Sequence, residues 1–276
     1  AGDYRRFWTT TSLRGLIGAT LKVEVLTEGV HSGGASGHVP SSFRIARQLL
    51  SRIENEKTGE ILLDELKTEI PDYRIKETEE FVSVLGDEVV EEFPWKETME
   101  PSSSDNVEGV LRRTWRPALS VVGADGLPPS ANAGNVLRPF TQLQLSMRIP
   151  PMVDPIKAQE AMRKALTENP PYNAKVTLHF EEGASGWNAP ETKPWLSKAM
   201  NKYSKIFFKE PSGSLCEGGT IPFMAMLGEQ FPKAQFVITG VLGPGSNAHG
   251  PNEFLHIPYA KKLTACVASI LSDFRA

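Results

Sequence analysis

The sequence predicts two α/β units in tandem: a ferredoxin-like α+β unit, followed by part of a layered α/β unit with a mostly parallel sheet. Three observations predict it. The first two thirds of the chain read β, α, a long mixed insertion, β, β, α, β, which is the split βαβ order. After Gly186 helical patterns alternate with a strand pattern instead. And 276 residues are enough for two modest cores.

The elements follow in order. The opening AGDYRRFWTTTSLRG has no initiating methionine and passes from a turn-like Ala-Gly-Asp straight into strand-like residues, as expected of a chain entered part-way through a longer protein. In 16–27, Leu21, Val23 and Val25 share one face while Lys22 and Glu24 share the other, the alternation of a half-buried strand. A glycine-rich loop, EGVHSGGASGHVP, leads to Phe43, Ile45, Leu49, Leu50 and Ile53 at helical spacing, with Ser41 or Ser42 available as a cap. Residues 57–116 read as an insertion, with helical candidates at 59–70 and 75–86 and a loop at 100–106. Strands are predicted at 118–123 and, by polar and apolar alternation, over 135–150. Asp154 and Pro155 open a helix in the cap and first-turn positions, and 174–183 closes the unit as a strand. The second unit has helices predicted at 191–208 and 219–231, a buried strand at 234–243 and a long final helix at 259–274.

Composition excludes several functions. A net charge of −3 gives no basic surface for nucleic acid and none for an anionic membrane. No apolar run approaches the ~18 residues of a membrane span, and no signal peptide is expected. The two cysteines, Cys216 and Cys266, cannot frame a disulfide scaffold and fit a reducing compartment. A cytoplasmic protein is expected.

His249 stands out first, because it lies in GSNAHGPNEF among residues that favour bends. That loop follows the strand predicted at 234–243, and in open α/β sheets ligands bind beyond the carboxyl ends of the strands. Five segments, WTTTSLRG, GVHSGGASG, NVLRPFTQLQLSMRIPP, CEGGTIP and GSNAHGPNEF, occur in an order and spacing that resembles the dinuclear-zinc metallopeptidase family. That family includes carnosine-type dipeptidases, aminoacylases, glutamate carboxypeptidase and succinyl-diaminopimelate desuccinylase. The likeness is greatest to the dipeptidase branch, and it covers nearly the whole chain.

The resemblance implies a catalytic domain interrupted by a ferredoxin-like lid that forms a homodimer. Residues 1–16 become the end of a first catalytic segment, 17–184 the lid with its insertion at about 57–116, and 185–276 the second catalytic segment. It implies a pair of Zn²⁺ ions, with Mn²⁺ or Co²⁺ as other possible metals, of whose ligands only His249 falls in this sequence. Asp3 matches a turn residue and not the family's ligand aspartate. His31 matches a lid histidine that reaches the partner's active site and stabilises an oxyanion; the alternative is an ordinary surface histidine. Arg148 matches an arginine that grips the substrate's terminal carboxylate at two points, or else makes a surface ion pair. Asn135 corresponds to a polar substrate contact, less secure because dipeptidase relatives often carry threonine there. Gly219 and Thr220 match a substrate cradle at a helix start, where Thr220 could equally be a plain cap. Cys216, His38, His179 and His256 are expected to be structural.

The expected activity is metal-dependent hydrolysis of a small peptide's amide bond near a free carboxylate, with this chain alone inactive. Two rivals stand beside it: a non-catalytic dimerisation or interaction module, and an amidohydrolase of the same fold acting on N-acyl amino acids.

Overall fold

A computed structural model describes residues 1–274. In chain order the elements are β1 (Trp8–Leu13), β2 (Gly15–Glu24), β3 (Val30–His31), α1 (Ser32–Ala35), α2 (Ser42–Leu50), α3 (Asp72–Leu85), α4 (Glu88–Glu91) and α5 (Asn106–Thr114). Next come β4 (Ala118–Asp125), β5 (Val136–Leu137), β6 (Phe140–Ile149), α6 (Pro155–Thr167), β7 (Lys175–Phe180) and β8 (Trp187–Asn188). The chain continues with α7 (Pro194–Phe207), β9 (Gly213–Glu217), α8 (Pro222–Gln230) and α9 (Ile257–Asp273).

The ferredoxin-like unit is an antiparallel sheet in the order β4-β6-β2-β7. Alternation decides which face is inside. Ile17, Ala19, Leu21 and Val23 of β2 and Leu143, Leu145, Met147 and Ile149 of β6 are all buried. They pack on Ile45 and Leu49 of α2 and on Ala158, Met162 and Leu166 of α6. Each buried Val, Leu, Ile or Met among them stabilises the fold by ~1.5–3 kcal/mol. The two helices start where the sequence says. Ser41 accepts from the Arg44 N–H, and Asp154 Oδ1 accepts from the Ile156 N–H at 2.8 Å with Pro155 behind it.

A second sheet runs β8-β1-β9, with β1 parallel to β9 and antiparallel to β8. Phe7 packs beside α7 and α9, against Leu196, Met200, Leu263 and Cys266. The long insertion divides between the two sheets. Ile61 and Leu66 join the core of the four-stranded sheet. Phe81, Leu85, Val89 and Val110, from α3, α4 and α5, pack instead on Trp8 of β1 and Leu215 of β9.

Three sequence expectations give way. Residues 59–70 form no α-helix. Gly59 turns at φ +70°, Ile61 pairs back on Glu54, and only a 3₁₀ turn at Asp64–Leu66 remains before Pro71. Residues 234–243 form no strand. Their half-buried backbone offers the Ile238 carbonyl to the Thr10 N–H at 2.7 Å, but no ladder follows, and β8 takes the next positions of β1 at Ser12 and Leu13. The alternating run 135–150 is two strands, β5 and β6, because Arg138 and Pro139 interrupt the ladder between them.

The chain crosses between the sheets at places that touch. Arg14 is the one residue between β1 and β2. Beside it the return crossing brings Leu16 N–H to the Ala184 carbonyl at 2.9 Å. A Cβ at Gly15 would lie 2.6 Å from Ala184 O, and one at Gly186 2.7 Å from Leu13 O, so only glycine fits both positions.

Candidate functional site

The site is built around the end of β9. The chain leaves that strand at Glu217 and turns through Gly218, Gly219 and Thr220 before α8 begins. Arg148, next to last in β6, pairs across the four-stranded sheet with Leu16 and Ala118, and so sits where that sheet meets the loop. Its Nη1 donates to Thr220 Oγ1 at 2.9 Å. Thr220 is not the cap of α8, as one reading had it: the cap position is Ile221, whose side chain makes no capping bond. The threonine hydroxyl is turned to the arginine instead.

The two glycines differ in their reasons. Gly218 presses on the end of α5, where a Cβ would meet the Arg113 carbonyl oxygen at 2.5 Å. At Gly219 the nearest atom would be Glu217 Cγ at 3.9 Å, which leaves its backbone open to a ligand.

Arg14 is the residue that sequence reasoning missed. Its Nε donates to the Gly218 carbonyl at 3.2 Å and its Nη1 reaches the Arg116 carbonyl at 3.5 Å. The side chain is nearly buried, and burial, then the positive charges of Arg148 and Arg113, push its pKa down to about 10 against the opposing pull of Glu217. The signal was present in WTTTSLRG: an arginine between a strand and a glycine, with a second strand beginning at once.

His31 and Asn135 are also brought together, but elsewhere. His31 pairs with Val136 across the β3–β5 ribbon, and the Ser32 N–H donates to the Asn135 carbonyl at 2.9 Å. Both side chains are exposed. The His31 ring folds over Gly33, where a Cβ would lie 2.8 Å from its Cε1. This ribbon stands beyond the end of β6 where Phe140 pairs with Glu24, and Arg148 is at the other end. At ~3.4 Å per residue the two ends of the strand are roughly 30 Å apart.

His249 is exposed and held at φ +63° in a loop where Asn247 and Asn252 are also left-handed, at +53° and +59°. Its N–H donates to Glu253 Oε2 at 2.9 Å, and Asn247 Nδ2 donates to the Pro251 carbonyl at 2.6 Å. Left-handed non-glycine residues persist only where the surroundings over-determine them. The turn therefore fixes the backbone and leaves the imidazole projecting. Among the described residues no three His, Cys, Asp or Glu side chains could together hold a metal ion. A zinc pair needs several such ligands, so this chain's residues alone do not fit it.

The remaining groups are structural. Asp3 is buried and accepts from Trp8 Nε1 at 2.9 Å and from Arg5 N–H and Nε, with Arg6 close by. Burial raises its pKa, but these hydrogen bonds and the charge of Arg6 outweigh that and hold it below the usual carboxylate value. Cys216 accepts from Trp115 Nε1 at 3.2 Å. Burial pushes its thiol up, which leaves it protonated and a poor nucleophile. His256 Nδ1 caps α9 by accepting from the Tyr259 N–H at 3.0 Å, and its ring stacks on Tyr4.

With this geometry in view, a family profile described as the peptidase dimerisation domain, M20_dimer, matches residues 11–173. The chain belongs to the M20 peptidase dimerisation-domain family. It is 26% identical over 276 residues, 91% of the chain, to a cysteinylglycine-S-conjugate dipeptidase of Corynebacterium striatum. That alignment takes in 55% of the relative, so the chain spans about half the length of the curated protein it matches. Its fold is similar to the dipeptidase Dug1p of Saccharomyces cerevisiae, with a TM-score of 0.75 and 19% identity over 98% of this chain and 57% of that one. Human carnosine dipeptidase 1 follows at 0.74 and 15%, over 99% of this chain and 58% of that one. The M20 metallo-carboxypeptidase Sso-CP2 of Sulfolobus solfataricus follows at 0.73 and 19%, over 98% and 61%. The M20 dipeptidase branch is thus where the likeness lies.

Proposed function

We propose that this chain supplies the lid and the carboxylate-binding half of a metal-dependent dipeptidase. The observation that carries this is the Arg148–Thr220 contact beside the open backbone of Gly219. A guanidinium, a hydroxyl and a free loop backbone, gathered where two sheets meet, suit a peptide's terminal carboxylate and the carbonyl next to it. The dipeptidase relatives point the same way.

In this reading residues 17–184 contain the lid, with α3 to α5 backing the catalytic sheet, and 1–16 and 185–276 are catalytic segments. His249 contributes one ligand to a pair of Zn²⁺ ions, or of Mn²⁺ or Co²⁺, whose other ligands come from outside this sequence. When bound, the metals supply an activated water. Arg148 and Thr220 orient the substrate. His31 and Asn135 serve the partner's site in a homodimer, a reading supported by their roughly 30 Å distance along the lid from Arg148 of the same chain. The protein is cytoplasmic, and its substrates are small peptides with a free carboxylate.

The test is to assay dipeptides, including a cysteinylglycine S-conjugate, with the 276-residue chain and with a version extended by the preceding coding segment, measuring bound zinc in both. Turnover and bound zinc only in the extended form, with His249→Ala reducing both, are expected. Hydrolysis by the short chain alone, lost on His249→Ala, overturns the shared-ligand reading. An extended form that binds no metal and cleaves nothing favours a dimerisation module, and one that cleaves only N-acyl amino acids favours an amidohydrolase.

A further inference from the structure

A cleft of about 300 Å³ opens beside Arg14, between α4, α5 and the segment that joins them. Val89 and Val110 form buried apolar lining. Phe93 and Trp95, edge to face at 5.9 Å, also line it and are 43% and 42% exposed. Large aromatics left this open around a concavity are unusual unless something covers them.

The cationic lining is asymmetric. Arg112 pairs with Glu108, and Arg113 pairs with Glu92 while lying over the Phe93 ring. Arg14 is different: it is only 9% exposed, and among the described residues it makes no carboxylate ion pair, Glu217 acting on it only at a distance, and no acceptor meets its Nη2. Its two acceptors are neutral carbonyls. A guanidinium withdrawn from water and set near two others is costly unless an anion joins it. A third feature lies in α5. Gly109, in the helix interior, lines the cleft, and a Cβ there would meet nothing within 4 Å. Glycine is a poor residue for a helix interior, and here its missing side chain is what keeps the cleft open.

We propose that this cleft binds a small amphipathic monocarboxylate, with its alkyl or aryl tail against Phe93, Trp95 and Val110 and its carboxylate on Arg14. Charge complementarity selects the acid over a neutral apolar molecule, and the small volume selects a short tail. The site adjoins the Arg148–Thr220 grip through Gly218 but does not share its residues. The proposal stands apart from the peptidase reading, and either can fail without the other.

Titration calorimetry on the full chain with octanoate and 4-phenylbutyrate, and with their neutral amides, tests it. Saturable binding of the acids, at least tenfold tighter than the amides, is expected. Arg14→Gln should weaken it tenfold or more. Gly109→Leu, which fills the cleft from a position with free space, should abolish it while the thermal unfolding midpoint holds, and Arg148→Gln should leave it unchanged. This pair keeps the test decisive if the Arg14 variant misfolds. No binding at millimolar ligand, equal binding of acid and amide, or binding indifferent to Gly109→Leu overturns the proposal. Loss on Arg148→Gln with retention on Gly109→Leu also overturns it, by assigning the acid to the other site.

Discussion

Arg148, in the four-stranded sheet, and Thr220, in the loop that follows β9, are 72 residues apart in the chain, yet they meet in a 2.9 Å hydrogen bond. In the peptide-hydrolase reading that bond is a resting arrangement. A substrate carboxylate would take Arg148 at two points and leave the hydroxyl free for the neighbouring carbonyl. Arg148→Lys keeps the charge but loses the fork. In the active enzyme, kcat/KM for a free dipeptide should fall about ten- to a hundredfold, the worth of a hydrogen bond to a charged group at ~1.5–3 kcal/mol. Most of the loss should appear in KM. A dipeptide amide, lacking the carboxylate, should lose far less, and equal losses on both substrates would remove Arg148 from the carboxylate site.

The two glycines of the loop should separate on stability. Gly218→Ala drives a methyl to 2.5 Å from the Arg113 carbonyl oxygen, and the backbone on both sides has to give. A loss of about 1–3 kcal/mol is expected. Gly219→Ala meets nothing closer than 3.9 Å and should unfold with the wild type. Urea midpoints on the two variants are the check.

Asp3 makes stability depend on pH in a definite direction. Its native pKa is below the ordinary value, so its contribution is fully present above about pH 4 and is lost as pH falls through the depressed native value. Asp3→Asn should cost about 1–3 kcal/mol near neutrality, because the Arg5 and Arg6 charges lose their partner. The gap between variant and wild type should then close as pH falls from 5 towards 2. Urea midpoints across that range measure it; a gap that widens on acidification contradicts the assignment.

Much of the fold was legible because the ferredoxin-like unit is carried by local pattern. The alternation in β2 and β6, the Asp154–Pro155 start of α6 and the apolar spacing of α2 each point to one structure and agree with the others. The failures share a different physics. Residues 59–70 are apolar enough for a helix, but Gly59 and the pairing of Ile61 with Glu54 decide otherwise, and tertiary pairing of that kind leaves no periodic trace. Residues 234–243 have strand composition but find only one ladder bond, at Thr10. At the site, motif segments led to Arg148, Thr220, His31, Asn135 and His249 one by one. That the first two touch each other, and that Asn135 lies in the ribbon of His31, depends on strand register that composition does not encode. Arg14 escaped because its role comes from joining two sheets, and the residues it contacts are some 100 and 200 positions further along the chain.

Complementation tests the assignment of His31 to a partner's site. In the active enzyme His31→Ala and His249→Ala should each be nearly inactive. Co-expressed, they form mixed dimers in about half of all pairings, each with one site of two intact, so recovery should approach about a quarter of wild-type turnover. Recovery no greater than the sum of the separate variants, with mixed dimers demonstrated by mass, would assign His31 to its own subunit or to no catalytic role.

The touching crossings at Gly15 and Gly186 carry a mechanical consequence. Two backbones with no side chains between them would serve as a pivot for any rotation of the four-stranded sheet, with β2 and β6 as the lever arms that leave it. With an arm of roughly 30 Å, a turn of about 10° at the pivot sweeps the tip through about 5 Å, an ordinary amplitude for hinged units. Arg148 and Thr220 lie against the pivot and would hardly move, whereas His31 and Asn135 would ride at the tip. In the peptide-hydrolase reading, such a rotation would leave the Arg148–Thr220 contact in place and set how far His31 reaches.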